Sequence, residues 1–253
     1  MLIPVGLNVW SRLVEATFPY FDRTVGPFDS LWLPDHVQYN GHKVAEGWTL
    51  LVWALARYPD KRCGHEVLCN SFRNPAHVAK MVATAQALSG GWTAAPATYD
   101  GQHYRIENAH CEPRPDPIPP IMVGGHGEKH LLRVVAQHAD WWNYPFRDHA
   151  LYAHKQEVLK AHCREVGRDY DQIVQVVRVG ILVAETERDV ERLKAEPFVR
   201  PMADIRLAGT PAQVTETLQQ IVRQGADRLV VNVADAPRPD GTVLFSETVL
   251  PYL

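Results

Sequence analysis

The sequence has no CxxC pair, and its four cysteines, Cys63, Cys69, Cys111 and Cys163, are scattered along 253 residues. That spacing suggests neither a zinc ribbon nor a disulfide framework, so reduced, partly buried thiols are expected. No run reaches the roughly 18 apolar residues that a membrane span requires. The opening MLIPVGLNVW lacks the basic region and cleavage site of a signal peptide, and a cytoplasmic protein is expected. An excess of one charge is missing too: 26 Lys+Arg against 29 Asp+Glu leave a formal net charge of −3. With a pI near 6.5 and no basic stripe, nothing favours nucleic acid or an anionic membrane as partner. Small molecules are the expected partners.

A hydrophobic share of 46% with 22% charged residues supplies enough apolar surface for a sizeable core. The length suits one large α/β barrel, which needs about 250 residues, or two domains of about 100–150 each. Short β-branched runs alternate with helical stretches throughout, the pattern of a parallel sheet built from βα units. Strands are expected at 5–9, 30–33, 63–68, 121–123, 140–143, 174–183 and 228–233. Helices are expected near 13–24 and over 48–57, from Pro75 to a Gly90-Gly91 stop, and over 128–137, 154–166 and 211–224. Asn74-Pro75 reads as an N-cap followed by Pro at the first helical position, and Thr210-Pro211-Ala212-Gln213 as a capping box. Between Trp92 and Pro120 six prolines exclude a long helix and leave a loop with at most a small hairpin around Asp100-Gly101. The rhythm resumes beyond it in the same style with no linker, so 1–253 reads as one domain. Seven strands are visible, one fewer than a closed barrel of this class requires.

Six strings in order then resemble the bacterial luciferase-like monooxygenase superfamily, closest to its deazaflavin-dependent oxidoreductase branch. They are FDSLWLPDH (28–36), EGWTLLVWALA (46–56), SFRNPAHVAKMVATAQALSGG (71–91), YDGQHYRIENAHCEPRP (99–115), PPIMVGGHGEKHLLRVVAQHADWWN (119–143) and GTPAQV (209–214). The resemblance implies a TIM-barrel-like (β/α)8 fold, commonly a homodimer. It also implies a reduced flavin, coenzyme F-420 or alternatively FMN, bound at the C-terminal ends of the strands, with hydride transfer to or from a small organic substrate. One departure stands out. Relatives follow the SGG with a glycine-rich strand and a helix, whereas Gly91 here leads directly to Trp92-Thr93. About 30–40 residues, one βα unit, are absent. The absence accounts for the seven-strand count and removes a strand end that in relatives can carry an acidic catalytic residue. The gap would be closed by the third strand pairing with 121–123, or by 99–106 filling it, and the segment 236–253 reads as extra to the core.

The resemblance assigns site residues. Asp35 and His36 follow a strand end, where His36 would lie beside the reactive ring of the cofactor; without the resemblance, Asp35 caps the next turn and His36 is an exposed loop residue. Glu66-Val67 corresponds to a non-proline cis peptide that forms a bulge against the ring. Asn8 and Asn70 would also line the cofactor pocket, and Arg73 continues towards it or pairs on the surface. Gly124, Gly125 and His126 follow a strand and open a helix, an arrangement that offers backbone N–H groups to a phosphate. Trp142, beside Trp141, would wall a planar ring or fill core. His126 and His130 lack the spacing of a metal motif and no third ligand is evident, so no metal is expected. Two alternatives remain from the sequence: a degenerate flavin-binding protein without turnover, and a metal-dependent hydrolase barrel.

Overall fold

In a computed structural model of the chain, residues 3–9, 17–38, 43–89, 97–100, 105–109, 119–197, 199 and 205–253 are described. The strands β1 (Val5–Asn8) and β2 (Ser30–Leu33) flank helix α1 (Thr17–Thr24). Helix α2 (Gly47–Arg57), strand β3 (Arg62–His65) and helix α3 (Pro75–Ser89) follow. A hairpin of β4 (Ala97–Asp100) and β5 (Arg105–Ala109) precedes β6 (Met122–Gly124), α4 (Leu131–His138), β7 (Trp141–Pro145) and α5 (His149–Val166). The remainder is β8 (Val174–Val183), α6 (Glu187–Lys194), β9 (Ile205–Gly209), α7 (Pro211–Arg223), β10 (Arg228–Val233) and α8 (Asp240–Thr248).

Seven strands pair in parallel in the order β3-β2-β1-β10-β8-β7-β6, with β9 added beside the end of β8. This is a (β/α)-barrel sheet with one gap: among the described residues β3 pairs only with β2, and β6 only with β7. Neither expected closure is present there. The β4–β5 hairpin is antiparallel and satisfies its backbone internally as a separate two-stranded sheet, and its tip, including Gly101, lies outside the described residues.

Alternation of side chains sets the two layers of the core. Outward from β7, Trp142 and Tyr144 are fully buried against α5, where Tyr144 stacks on Tyr152 with centroids 4.9 Å apart. Inward, the N-terminal end of the barrel is plugged: Trp32 meets Trp141 at 6.4 Å, and the Arg228 guanidinium lies 5.0 Å over Trp141 while pairing with Asp29. Room for the Trp32 indole comes from its neighbours, since a Cβ on Gly6 or Gly64 would fall 2.5 or 2.7 Å from it.

Several boundaries differ from the sequence reading. The third strand stops at His65 rather than 68, because the chain there turns into a cis peptide at Glu66-Val67. Helix α4 opens at Leu131 rather than 128, after a turn. Helix α5 starts at His149, five residues early, because the Asp148 side chain caps it by accepting from Leu151 N at 2.7 Å. The segment 236–253 belongs to the core: it carries α8, whose Phe245 is fully buried and stacks on Phe28 at 6.1 Å, and Ile3 N donates to Leu253 O. It supplies the helix of the last βα unit. The starts of the helix expected near 13 and the Gly90-Gly91 stop, like Cys111, lie outside the described residues. No described helix is long and apolar enough to cross a membrane.

Candidate active site

A cavity of about 300 Å³ opens at the C-terminal ends of the strands, lined by Asn8, Pro34, His36, Glu66, Val67, Gly124, Gly125, Asn143, Pro145 and Arg178. That end of a barrel is where loops can vary without disturbing the sheet, and where ligand sites of this architecture occur. The lining residues within strands follow from strand phase: Asn8 ends β1, Gly124 ends β6, and Asn143 and Pro145 share the inward face of β7 with Trp141; the others, Arg178 of β8 apart, lie just past strand ends.

Of the residues singled out in the sequence, Asn8, His36, Glu66, Val67, Gly124 and Gly125 come together in this cavity. Asn8 is held from two sides: its Nδ2 donates to Trp32 O at 3.2 Å, and Asn232 Nδ2 donates to its carbonyl at 3.1 Å and to Oδ1 at 3.2 Å. The Glu66-Val67 peptide is cis and not followed by proline. Val67 closes on the opposite lip, where a Cβ on Gly124 would lie 3.0 Å from Val67 Cγ1.

Asp35 stands behind the cavity. Its side chain is 1% exposed, Arg73 donates to both carboxylate oxygens at 2.6 and 3.1 Å, and Cys69 N donates to Oδ2 at 3.0 Å. Arg73 also pairs with Glu46 at 2.5 Å. Burial works to raise the Glu46 pKa, but hydrogen bonds from Thr49, Trp48 and Arg73 outweigh it and hold the carboxyl below its usual range. Glu46 in turn caps α2 through Trp48 N and Thr49 N. One buried carboxylate therefore ties the β2 end, the α2 start and the loop after β3 together. Arg73 is part of this buried network, not a surface pair. Beside it His65 Nδ1 donates to Leu33 O, 3.2 Å away, and burial pushes its pKa down.

Trp142 does not line the cavity. It is fully buried on the helix side of β7, and its Nε1 donates to Gly125 O at 2.8 Å, so it fixes the glycine loop from behind. Gly125 has a φ of 125°, a conformation that L side chains rarely adopt, and Leu131 fills the place of its missing Cβ at 2.7 Å. Its N–H donates to Asn143 O at 2.9 Å and is spent on the sheet. Among the described residues no backbone bond engages the N–H of His126 or Gly127, which precede α4. His126 itself packs edge-on to Tyr144 at 6.4 Å. Asn70 begins a 3-10 turn; its side chain is outside the described residues. Among those residues no group of three or more His, Cys, Asp or Glu is placed to hold a metal ion.

Four lining residues escaped the sequence reading: Pro34, Asn143, Pro145 and Arg178. Asn143 lies inside the recognised WWN string and could have been found from strand phase, since Trp142 points outward and its neighbours must point inward. Arg178 sits within a β-branched run with nothing local to mark it.

Seven parallel strands with the cavity at their C-terminal ends define an α/β-barrel protein. The sequence pattern of the luciferase-like monooxygenases matches residues 92–228, more than half of the chain, and the protein belongs to that family. Among solved structures, it is similar to an F-420-dependent secondary alcohol dehydrogenase in complex with an F-420–acetone adduct, at TM-score 0.79 and 15% identity, covering 100% of this chain and 99% of that one. A coenzyme F-420-dependent tetrahydromethanopterin reductase from Methanopyrus kandleri gives TM-score 0.79 at 14% identity, covering 100% and 99%. EDTA monooxygenase from Chelativorans sp. BNC1 gives TM-score 0.76 at 15% identity, covering 99% and 93%. At these identities the likeness shows the fold. No curated protein matches the chain.

Proposed function

We propose that the protein is a flavin-type oxidoreductase that uses coenzyme F-420 in hydride transfer with a small organic substrate. The observation that carries this is the convergence of Asn8, His36, Glu66, Val67 and the Gly124-Gly125 turn on one cavity at the C-terminal strand ends. Their chemistry fits such a cofactor. The Glu66-Val67 segment and the Asn8 amide would wall a ring, while the N–H groups of His126 and Gly127 and the start of α4 suit its phosphate. Bound there, the cofactor supplies the hydride chemistry.

The chain's own residues bind and orient. His36 lines the cavity wall, and its imidazole would hold or pass a proton at the reacting group of the substrate. Asp35 positions it: with both oxygens taken by Arg73 and Cys69, its role is to fix the loop rather than to exchange a proton. Asn8 and Asn143 offer amide groups to the ring edge, and Trp142 acts through Gly125. The protein would act as one unit over 1–253, as a cytoplasmic homodimer.

A fluorescence titration of purified protein with F-420 and, separately, with FMN tests this. Saturable quenching or a spectral shift by F-420 at tens of micromolar or below is expected. Silence with both cofactors overturns the proposal, and a response to FMN alone reassigns the cofactor. Binding without turnover across alcohols, aldehydes and enones would favour the degenerate flavin-binding protein.

A further inference from the structure

The two lips of the gap carry the parts of the cavity that need the most accurate placement, yet no backbone ladder joins them. Among the described residues β3 pairs only with β2, and β6 only with β7. Glu66-Val67 lies past the end of β3 and Gly124 ends β6. Across the cavity, from β8 to the lip after β3, reaches Arg178, whose Nε is 3.1 Å from Glu66 Oε1. Its backbone is among the best fixed in the barrel. It lies within the ten-residue β8, in register with Val230 of β10 and Pro145 of β7, and its carbonyl accepts from Phe146 N at 2.9 Å. The Glu66 side chain is 5% exposed and that of Arg178 22%, so water screens the pair poorly and geometry governs its strength. One end of the contact is anchored in the firmest part of the sheet and the other in a segment with no ladder beyond it.

We propose that the Glu66–Arg178 ion pair is a strut across the cavity that sets its width and seats the cis peptide, which makes Arg178 a positioning residue for the cofactor ring. The second half of this rests on the reading that the cavity takes a flavin-type cofactor. A planar ring held between the peptide and the glycine turn tolerates little change in slot width, and misplacement by about 1 Å is enough to cost a site most of its efficiency. Because Glu66 neutralises Arg178, the pair brings no net charge to the cavity. Breaking it should therefore loosen the site rather than remove an anion anchor.

The test compares Arg178→Gln with Arg178→Lys, with the double variant Glu66→Gln/Arg178→Gln, and with Asp29→Asn, which breaks the ion pair at the opposite end of the barrel. Two measurements are made: amide hydrogen exchange of the cofactor-free protein, and affinity and absorption envelope with F-420 and FMN. Arg178→Gln should speed exchange about tenfold in the segments 62–69 and 121–125, with Asp29→Asn leaving both near wild type. It should also weaken cofactor binding about tenfold and shift the envelope, which a purely structural loss would not do. Arg178→Lys should give the same pattern at smaller size if the Gln variant does not fold, and the double variant, able to form an amide–amide bond, should recover part of the loss. Exchange at those segments no faster in either Arg178 variant than in Asp29→Asn would overturn the strut. Affinity and envelope within about twofold of wild type would overturn the positioning role. If the wild-type protein binds neither cofactor, the proposed function and the ring-positioning role fall together, and exchange alone decides the strut.

Discussion

The two sides of the barrel are built differently. On the side of β1, β10 and β8 the strands are buried almost along their whole length, from the four buried residues of β1 to the run of buried positions in β8 and β10. On the side of β3 and β6 the strands are short and half-exposed, with Ile121 56% and Val67 55% exposed at the lips. The first side holds itself by backbone ladders and apolar packing. The second has a ladder on one flank only and adds polar contacts: Arg73 and Cys69 N on Asp35, Trp142 on Gly125, Arg178 on Glu66. The cavity lies between them, so its geometry depends on the weaker side while its stability comes from the stronger.

The largest expected effect tests the strong side. Phe245→Ala should cost about 3–5 kcal/mol in denaturant unfolding, since Phe245 is fully buried and stacked on Phe28. Cofactor affinity, measured well below the unfolding midpoint, should hardly move. A selective loss of affinity would break the comparison.

Arg73→Ala tests the weak side. It leaves the Asp35 carboxylate, 1% exposed, without its cation, at a cost of roughly 3 kcal/mol. Here cofactor affinity should fall more than stability explains, because the loops bearing His36 and Cys69 lose their common anchor. Unchanged affinity would deny the polar contacts their assigned role.

A pH effect separates the sides next. Asp235, just past β10, is buried with Oδ2 accepting from Gly241 N at 2.7 Å, and burial raises its pKa from 3.8 to about 6. The folded state thus binds this proton more tightly than the unfolded chain does. The resulting contribution to stability is fully present below pH 3.8 and is lost as pH rises through about 6. It amounts to roughly 3 kcal/mol. Asp235→Asn should remove that pH dependence between about 4 and 6 and raise the unfolding midpoint at pH 7. The same slope in wild type and variant would show that the burial of Asp235 is not what shifts it. The smallest effect is Thr210→Ala, which removes one end of a capping box whose other end is Thr210 N donating to Gln213 Oε1 at 2.9 Å. About 1 kcal/mol is expected in thermal or denaturant unfolding, with no change at the cavity.

What could be read from the sequence follows the same division. Strands β8 and β10 have their expected bounds because β-branched runs with clear turns leave one period possible, and the short SLWL of β2 is bounded by Asp29 and Pro34. Helices α6 and α8 were missed: only Val190 is buried in α6, so its apolar stripe is too thin to show, and α8 follows Pro237 and Pro239, which read as loop. In the cavity, His36, Glu66 and Gly124 were legible because they sit at strand ends inside a recognisable string. Arg178 was not, because its partner Glu66 is 112 positions away in sequence and only the curl of the folded sheet brings them together. Trp142 and Asp35, expected at the site, lie behind the cavity wall, Trp142 through its bond to Gly125 O and Asp35 through its bonds from Arg73 and Cys69 N.

The most direct test of the central claim is a crystal structure of the protein grown with F-420. The account predicts the ring against the cis Glu66-Val67 peptide, its phosphate at the N–H groups of His126 and Gly127, and His36 facing the substrate side. Cofactor bound elsewhere, or a cavity at the strand ends left filled only by water at saturating F-420, would contradict it.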